Sequence, residues 1–306
     1  MKAIICTRYG PPEVLKIQEI PKPNPKNDEI LIKIMASAIN SGDVRVRGLK
    51  VNGFLKIVMR LMFGFTKPRK PVLGTVFSGI VETIGDNTTR FKVGDEVFGM
   101  TGLKFGTYAE YIVLNHNDKV ILKPENATFE EAAALPFGGQ TAIYFLEKAG
   151  IEKISNPEVL IIGATGAVGT AALQIAKYHN AEITAVCSTK GAELVKSLGV
   201  SRLILYDKED FTQSKSKFDI IFDAVGKTSK SQCKKLLKKG GVYKTVGGME
   251  VAAENKKQLE MLKALFEKGE YDATIDRVFP MDKVVEAHRY VDTERKKGNV
   301  VLKISG

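Results

Sequence analysis

With 306 residues the chain is long enough for two domains, each with a core of its own. Hydrophobic residues make up 44% and charged residues 26%, which excludes a disordered or collagen-like polymer and fits a globular one. The 46 Lys and Arg against 35 Asp and Glu give a formal charge of +11, but the lysines are scattered in short runs such as Lys234-Lys235 and Lys296-Lys297, as on a solvated surface, so no nucleic-acid partner is expected.

The first third has the rhythm of β-structure. Strands are predicted at 3–9, 15–20 and 29–38, and again at 78–84, 95–99 and 108–114, with Pro, Asn and Gly punctuation between them. So many short strands close most naturally as an irregular antiparallel barrel. Between them, 49–71 is apolar and basic, and Phe54, Leu55, Val58, Leu61, Met62 and Phe65 recur at helical spacing. It reads as a lid, as a helix packed on the barrel, or as a segment touching a membrane surface.

From about Pro124 the rhythm changes. The run Val159-Leu160-Ile161-Ile162 reads as a buried parallel strand, followed by a helix with Val168, Ala171, Ala172, Ile175 and Ala176 on one face. Strands at 183–186, 203–205, 219–222 and 242–246 alternate with helices near 191–198, 229–237 and 258–267, the pattern of a doubly wound parallel sheet. After Gly269 two strands, 274–278 and 299–304, flank one helix at 281–290; too few for a domain, they are expected to return to the barrel. The predicted division is 1–123 with 269–306, and 124–268.

No run of about 18 uncharged apolar residues occurs, so stable membrane insertion is not expected. The segment MKAIICTRYG lacks the apolar core of a secretory signal, and Cys6, Cys187 and Cys233 are too far apart to suggest a disulfide framework. A cytoplasmic location is expected.

The strongest local signal is VLIIGATGAVG, which sets Gly163, Ala164, Thr165, Gly166, Ala167, Val168 and Gly169 at a strand-to-helix junction. A dinucleotide site needs small residues there, because the turn is tight, backbone N–H groups must reach the pyrophosphate, and helix and strand must pack closely. Ala164 stands where the first glycine usually is. A site preferring NAD carries an acid near the end of the second strand, yet no carboxylate falls between Ala185 and Ala192. Ser188, Thr189 and Lys190 instead suit a 2′-phosphate, with Tyr206 flanking the adenine, so NADPH is the expected cofactor.

Over essentially its whole length the chain resembles the medium-chain dehydrogenase/reductase superfamily, and within it the zinc-free quinone oxidoreductases. The motifs that carry this are NSGDVRVRG (40–48), LGTVFSGIVETIG (73–85), KVGDEVFG (92–99), TYAEY (107–111), FEEAAALPFGGQTA (129–142), GATGAVG (163–169), FDAVG (222–226), GGVYKTVGG (240–248) and KKGNVVLKI (296–304). The resemblance implies an α/β protein in which a GroES-like irregular β-barrel catalytic domain is joined to a Rossmann doubly wound parallel-sheet domain. It also implies a homodimer, joined near Gly241–Val246.

In zinc-dependent members a Cys, a His, a Glu and a second Cys stand where this chain has Asn40, Thr75, Val76 and Gly138, and only MTGLKFG occupies the place of the four-cysteine lobe. No metal is expected. Zinc-free relatives reduce quinones, enones and enals, whose conjugation disperses the charge left by hydride. The alternatives are a zinc-type alcohol dehydrogenase and a catalytically inactive NADPH-binding or RNA-binding protein of the same fold.

By the same resemblance Asn40 bonds a substrate carbonyl or the nicotinamide ribose, although Asn40-Ser41-Gly42-Asp43 is also strong turn chemistry. Thr141 contacts the cofactor, or else is a helix-start hydroxyl. Val225-Gly226, Val246-Gly247-Gly248 and Asn299 lie toward the nicotinamide. Several quinone reductases carry a tyrosine five residues after the Asn40 position; here it is Arg45, so that either Tyr108 substitutes spatially or solvent protonates the product with no side-chain acid. Arg45 and Arg47 are expected on the surface, the alternative being that they favour a substrate with some negative charge.

Overall fold

The computed structural model describes residues 1–49 and 53–305. Two compact units emerge, Met1–Pro136 with Ile275–Gly306, and Phe137–Thr274. In chain order the first opens with β1 (Lys2–Cys6), β2 (Leu15–Glu19), β3 (Glu29–Ile39), α1 (Ser41–Gly48), α2 (Phe54–Phe63), β4 (Val76–Ile84), β5 (Glu96–Met100), β6 (Tyr111–Asn115) and β7 (Val120–Leu122). Helix α3 (Phe129–Lys148), with Pro136 inside it, crosses the division. The second unit continues with β8 (Glu158–Ile162), α4 (Ala167–Tyr178), β9 (Glu182–Cys187), α5 (Ala192–Ser197), β10 (Arg202–Leu205), β11 (Phe218–Asp223), α6 (Lys230–Cys233), β12 (Leu237–Thr245) and α7 (Lys256–Glu267). Finally β13 (Ile275–Pro280), α8 (Val284–Asp292) and β14 (Asn299–Lys303) rejoin the first unit.

The first unit's sheet runs β13-β14-β3-β4-β5-β7, with β6 also on β3, while β1 and β2 form a separate hairpin. Strand β3 is its spine: Ile30, Ile32 and Ile34 share one face and are fully buried, as period-two alternation demands. In the second unit the order is β10-β9-β8-β11-β12, with every pairing parallel. Val159, Leu160 and Ile161 of β8 are fully buried because the central strand is covered on both faces.

Three expectations need correction. The predicted turn after Asn40 is the start of α1: the Asn40 side chain accepts from the N–H groups of Gly42 and Asp43, and Asp43 Oδ2 accepts from the Asn40 N–H at 3.1 Å. That reciprocal pair is a capping box and supplies the helix with its first acceptors. Arg47, expected on the surface, is fully buried. Its guanidinium donates to Asp292 at 2.6 Å and lies 3.0 Å from His288 Nδ1, tying α1 to α8. Burial and the Arg47 charge hold His288 down to about 3, so the ring is neutral.

The third concerns 49–71. Lys50, Val51 and Asn52, and the side chains of Phe54 and Leu55, lie outside the described residues. Met59 and Phe63 of α2 rest on the barrel core, with Phe63 edge-on to Phe105 at 5.8 Å. Leu61, Met62 and Phe65, which the helical spacing grouped as an apolar face, are instead exposed. No helix among the described residues is long and apolar enough to cross a membrane.

Replacing Arg47 by Ala removes the buried ion pair with Asp292 and leaves a void, so unfolding free energy measured in urea should fall by about 3–5 kcal/mol. Arg45→Ala, one turn face away and exposed, should change it by less than about 0.5 kcal/mol. Equal effects would show that the buried pair carries no stability.

Candidate functional site

In the second unit, β8 runs into Gly163, whose φ of +77° suits glycine. The N–H groups of Gly163 and Ala164 both donate to Val186 O at 3.1 Å, which ties the crest to β9. A Cβ on Gly163 would lie 2.4 Å from the Val225 side chain, and one on Gly169 would lie 2.1 Å from Gly163 O. Ala164 is fully buried, so its methyl replaces the usual glycine without obstructing the surface. Gly166 caps α4 with no side chain, and the first-turn N–H groups have no intrahelical acceptor. The crest is built to hold an anion at the helix's positive end.

At the end of β9, Ser188 is half-buried and Thr189 and Lys190 are exposed. Here the sequence reading missed a carboxylate. Asp207, just past β10, accepts from the Thr189 N–H at 2.8 Å and the Thr189 hydroxyl at 3.1 Å. Those bonds hold its carboxyl below the usual range, so it is charged at neutral pH. Thr189 is therefore already engaged. Tyr206 beside it is exposed.

The third wall begins at Asp223, buried at the end of β11. Its Oδ1 accepts from the N–H groups of Val225 (3.1 Å) and Gly226 (2.8 Å), and its Oδ2 from the N–H and hydroxyl of Thr228, each at 2.8 Å. One side chain thus shapes the Val225-Gly226 loop. Gly226 has a φ of +72°, and a Cβ there would lie 2.6 Å from Gly247 Cα. Val246 is half-buried and Gly247-Gly248 exposed. The signal for Asp223 was an acid ending a strand before a glycine turn. Thr141 lies well inside α3, not at a helix start, and its hydroxyl donates to Phe137 O at 2.7 Å.

In the first unit, Asn40 is 3% exposed and its Nδ2 donates to Thr75 Oγ1 at 2.6 Å. The antiparallel pair Val300–Ile39 brings Asn299, at the start of β14, beside Asn40. Asp43 is fully buried, and burial pushes its carboxyl up to about 7. Tyr108 is fully buried too: its hydroxyl donates to Asp43 Oδ2 at 3.0 Å and its ring meets His288 at 5.7 Å. The substrate-facing role expected of Tyr108 is therefore corrected to a core role, because the side chain has neither exposure nor a free hydroxyl proton.

The residues at the catalytic-zinc positions do not fit a zinc ion. Asn40 points a donor N–H at Thr75, and Val76 offers no lone pair. Gly138 serves packing: a Cβ there would lie 2.4 Å from Ala167 O, so it lets α3 approach α4. Among the described residues no three His, Cys, Asp or Glu side chains gather as a metal-binding group.

A strand-built unit carrying this polar rim and a parallel-sheet unit with a glycine crest define the alcohol-dehydrogenase class of fold. Residues 26–125 match the alcohol dehydrogenase GroES-like domain, and 167–271 and 244–302 match zinc-binding dehydrogenase patterns. The chain is 36% identical to 2-methylene-furan-3-one reductase of Solanum lycopersicum, over 99% of its own length and 79% of the relative's. It is 32% identical to the chloroplastic NADPH-dependent alkenal/one oxidoreductase of Arabidopsis thaliana, with the same coverage. The solved quinone oxidoreductase of Coxiella burnetii superposes with a TM-score of 0.87 at 28% identity, covering 100% of this chain and 99% of that one. The chain belongs to the medium-chain dehydrogenase/reductase superfamily.

Because Asp43 has a raised folded pKa, its neutral form stabilises the fold at low pH, and that contribution is lost as pH rises from about 4 through about 7. Asp43→Asn cannot ionise. Relative to the parent, its urea-unfolding free energy should therefore gain about 2–3 kcal/mol between pH 5 and pH 8. A pH-independent difference would show that the Asp43 carboxyl titrates normally.

Proposed function

We propose that the protein reduces quinones and α,β-unsaturated ketones and aldehydes with NADPH as hydride donor and without a metal. The observation that carries this reading is the Asn40–Thr75 hydrogen bond, an amide and a hydroxyl at positions where zinc-dependent relatives of this fold set metal ligands. The names of the tomato, Arabidopsis and Coxiella relatives support the same reaction class.

Bound NADPH supplies a hydride to an electron-poor carbon; the chain's residues hold and orient. First-turn amides of α4 and the crest Gly163, Ala164, Thr165, Gly166, Ala167, Val168 and Gly169 would hold the pyrophosphate. Ser188, Lys190 and Tyr206 would hold the adenosine end, Lys190 pairing with the 2′-phosphate. Within the parallel-sheet unit, Thr141, Val225-Gly226 and Val246-Gly247-Gly248 would serve the nicotinamide end. The Asn40 amide has a second N–H, which donates to the acceptor's carbonyl oxygen. On hydride addition at the conjugated carbon, the C=C pair would become the enolate double bond, the carbonyl pair would move onto that oxygen, and a solvent proton would complete the reduction. Conjugation thus does what a Lewis acid does for a simple alcohol.

In domain terms, 1–123 with 269–306 acts as the catalytic domain and 124–268 as the dinucleotide domain. The working form is inferred to be a cytoplasmic homodimer joined through β12, an edge strand of the parallel sheet.

A panel of quinones, enals and cyclic enones, followed by loss of NADPH absorbance, tests the reading. Turnover of at least one class with no more than trace zinc is expected; no turnover, or about one zinc per chain, overturns it. For the cofactor, Lys190→Glu should raise the NADPH dissociation constant about 10–100-fold more than that for NADH. Asp207→Asn, which removes the charge facing Thr189, should lower the NADPH constant about 3–10-fold and raise that for NADH, whose ribose hydroxyls lose an acceptor. Parallel shifts for both cofactors would remove the 2′-phosphate from this turn.

A further inference from the structure

We propose that α2 and the loop after it form a peripheral membrane-binding surface selective for anionic bilayers. The proposal rests on this segment alone and is independent of the reaction assigned above.

Two observations meet here. Ile57, Leu61 and Phe65 recur every four residues and, with Met62, are 53–61% exposed. Around them Lys56, Arg60, Lys67, Arg69 and Lys70 are all exposed, and no Asp or Glu occurs between Asp43 and Glu82. Isolated exposed apolar side chains are ordinary, but four large ones together on a short segment mark a surface that something covers.

The face cannot simply turn inward. Met59 and Phe63 of the same helix already pack on the barrel core, and the Tyr9 hydroxyl holds Gly64 O at 2.8 Å. Lys70 reaches Leu103 O at 3.4 Å, which brings the exposed Leu103 to the edge of the same patch.

Charge decides the occupant. A second copy docking through this face would set two acid-free, five-cation surfaces against each other. A neutral apolar partner would leave the cations unmatched. An anionic bilayer answers both: the acyl boundary takes Ile57, Leu61, Met62 and Phe65, while lipid phosphates and carboxylates take the lysines and arginines, whose stems lie along the interface. Such binding is reversible, since ten helical residues lie in the interface and do not span it.

The test is co-sedimentation of the full chain with vesicles of phosphatidylcholine alone or mixed with phosphatidylserine. Binding to the mixed vesicles at least about 10-fold stronger than to the neutral ones is expected, with release in about 0.5 M salt. Leu61→Asp/Phe65→Asp and Lys67→Glu/Lys70→Glu should each abolish it while leaving the thermal melting curve unchanged, since these side chains are exposed. No sedimentation with either vesicle, equal binding to both, or binding that survives both double variants overturns the proposal. So does concentration-dependent self-association lost in Leu61→Asp/Phe65→Asp, which would assign the face to a second copy.

Discussion

The dinucleotide half of the molecule depends on backbone approaching backbone more closely than any side chain permits. Gly169 lies so close to Gly163 O that α4 is drawn down onto the end of β8. Gly226 meets Gly247 in the same way, and Gly138 lets α3 reach the start of α4. Each contact removes a degree of freedom from a loop that would otherwise wander. What remains is a helix N-terminus whose amides are presented rather than spent. Asp223 completes the arrangement by gathering four donors from the following turn, so one buried carboxylate does locally what a length of regular structure would otherwise have to do.

The other half solves a different problem. Asn40 is a helix cap and a donor to Thr75 at once, and these duties use different atoms. Oδ1 caps α1, while Nδ2 faces Thr75. Behind it, Asp43, Tyr108, His288, Arg47 and Asp292 form a continuous polar seam in the core. Burying such groups is costly unless they satisfy one another. His288 meets that cost by staying neutral, Arg47 by pairing, and Asp43 by having its carboxyl raised to about 7. The seam fixes where α1 begins, and therefore where Asn40 points.

Features set by local pattern could be read directly from the chain. The apolar run of β8, the alternation in β3 and the strand-helix alternation of the second unit all arise from neighbours a few residues apart, and their predicted positions agree with the structure to within a few residues. Features set by distant partners could not. Arg47 is buried because Asp292 and His288 come back to it from the last helix, more than 240 positions away. Asp207 escaped notice because it follows β10, while the search for an acid ended with β9. Tyr108 looked available as a hydroxyl because no local pattern announces that Asp43 will claim its proton. The role of α2 stayed open between three readings because a helix apolar on several sides does not say which side the core will take.

On the reading proposed above, cofactor choice at the end of β9 is held as a difference rather than as one contact. Lys190 contributes attraction to a 2′-phosphate, yet Asp207 stands across the same turn and draws the Thr189 donors toward itself. An anionic ligand arriving there must compete with Asp207 for Thr189 and then share the site with its charge. A ribose with free hydroxyls meets the opposite situation, since Asp207 can accept from them. The two charges therefore work on the same atoms with opposite sign, and the turn is tuned by their balance. A single substitution at either residue acts on that balance without disturbing the glycine crest, because neither side chain takes part in the close contacts that fix α4.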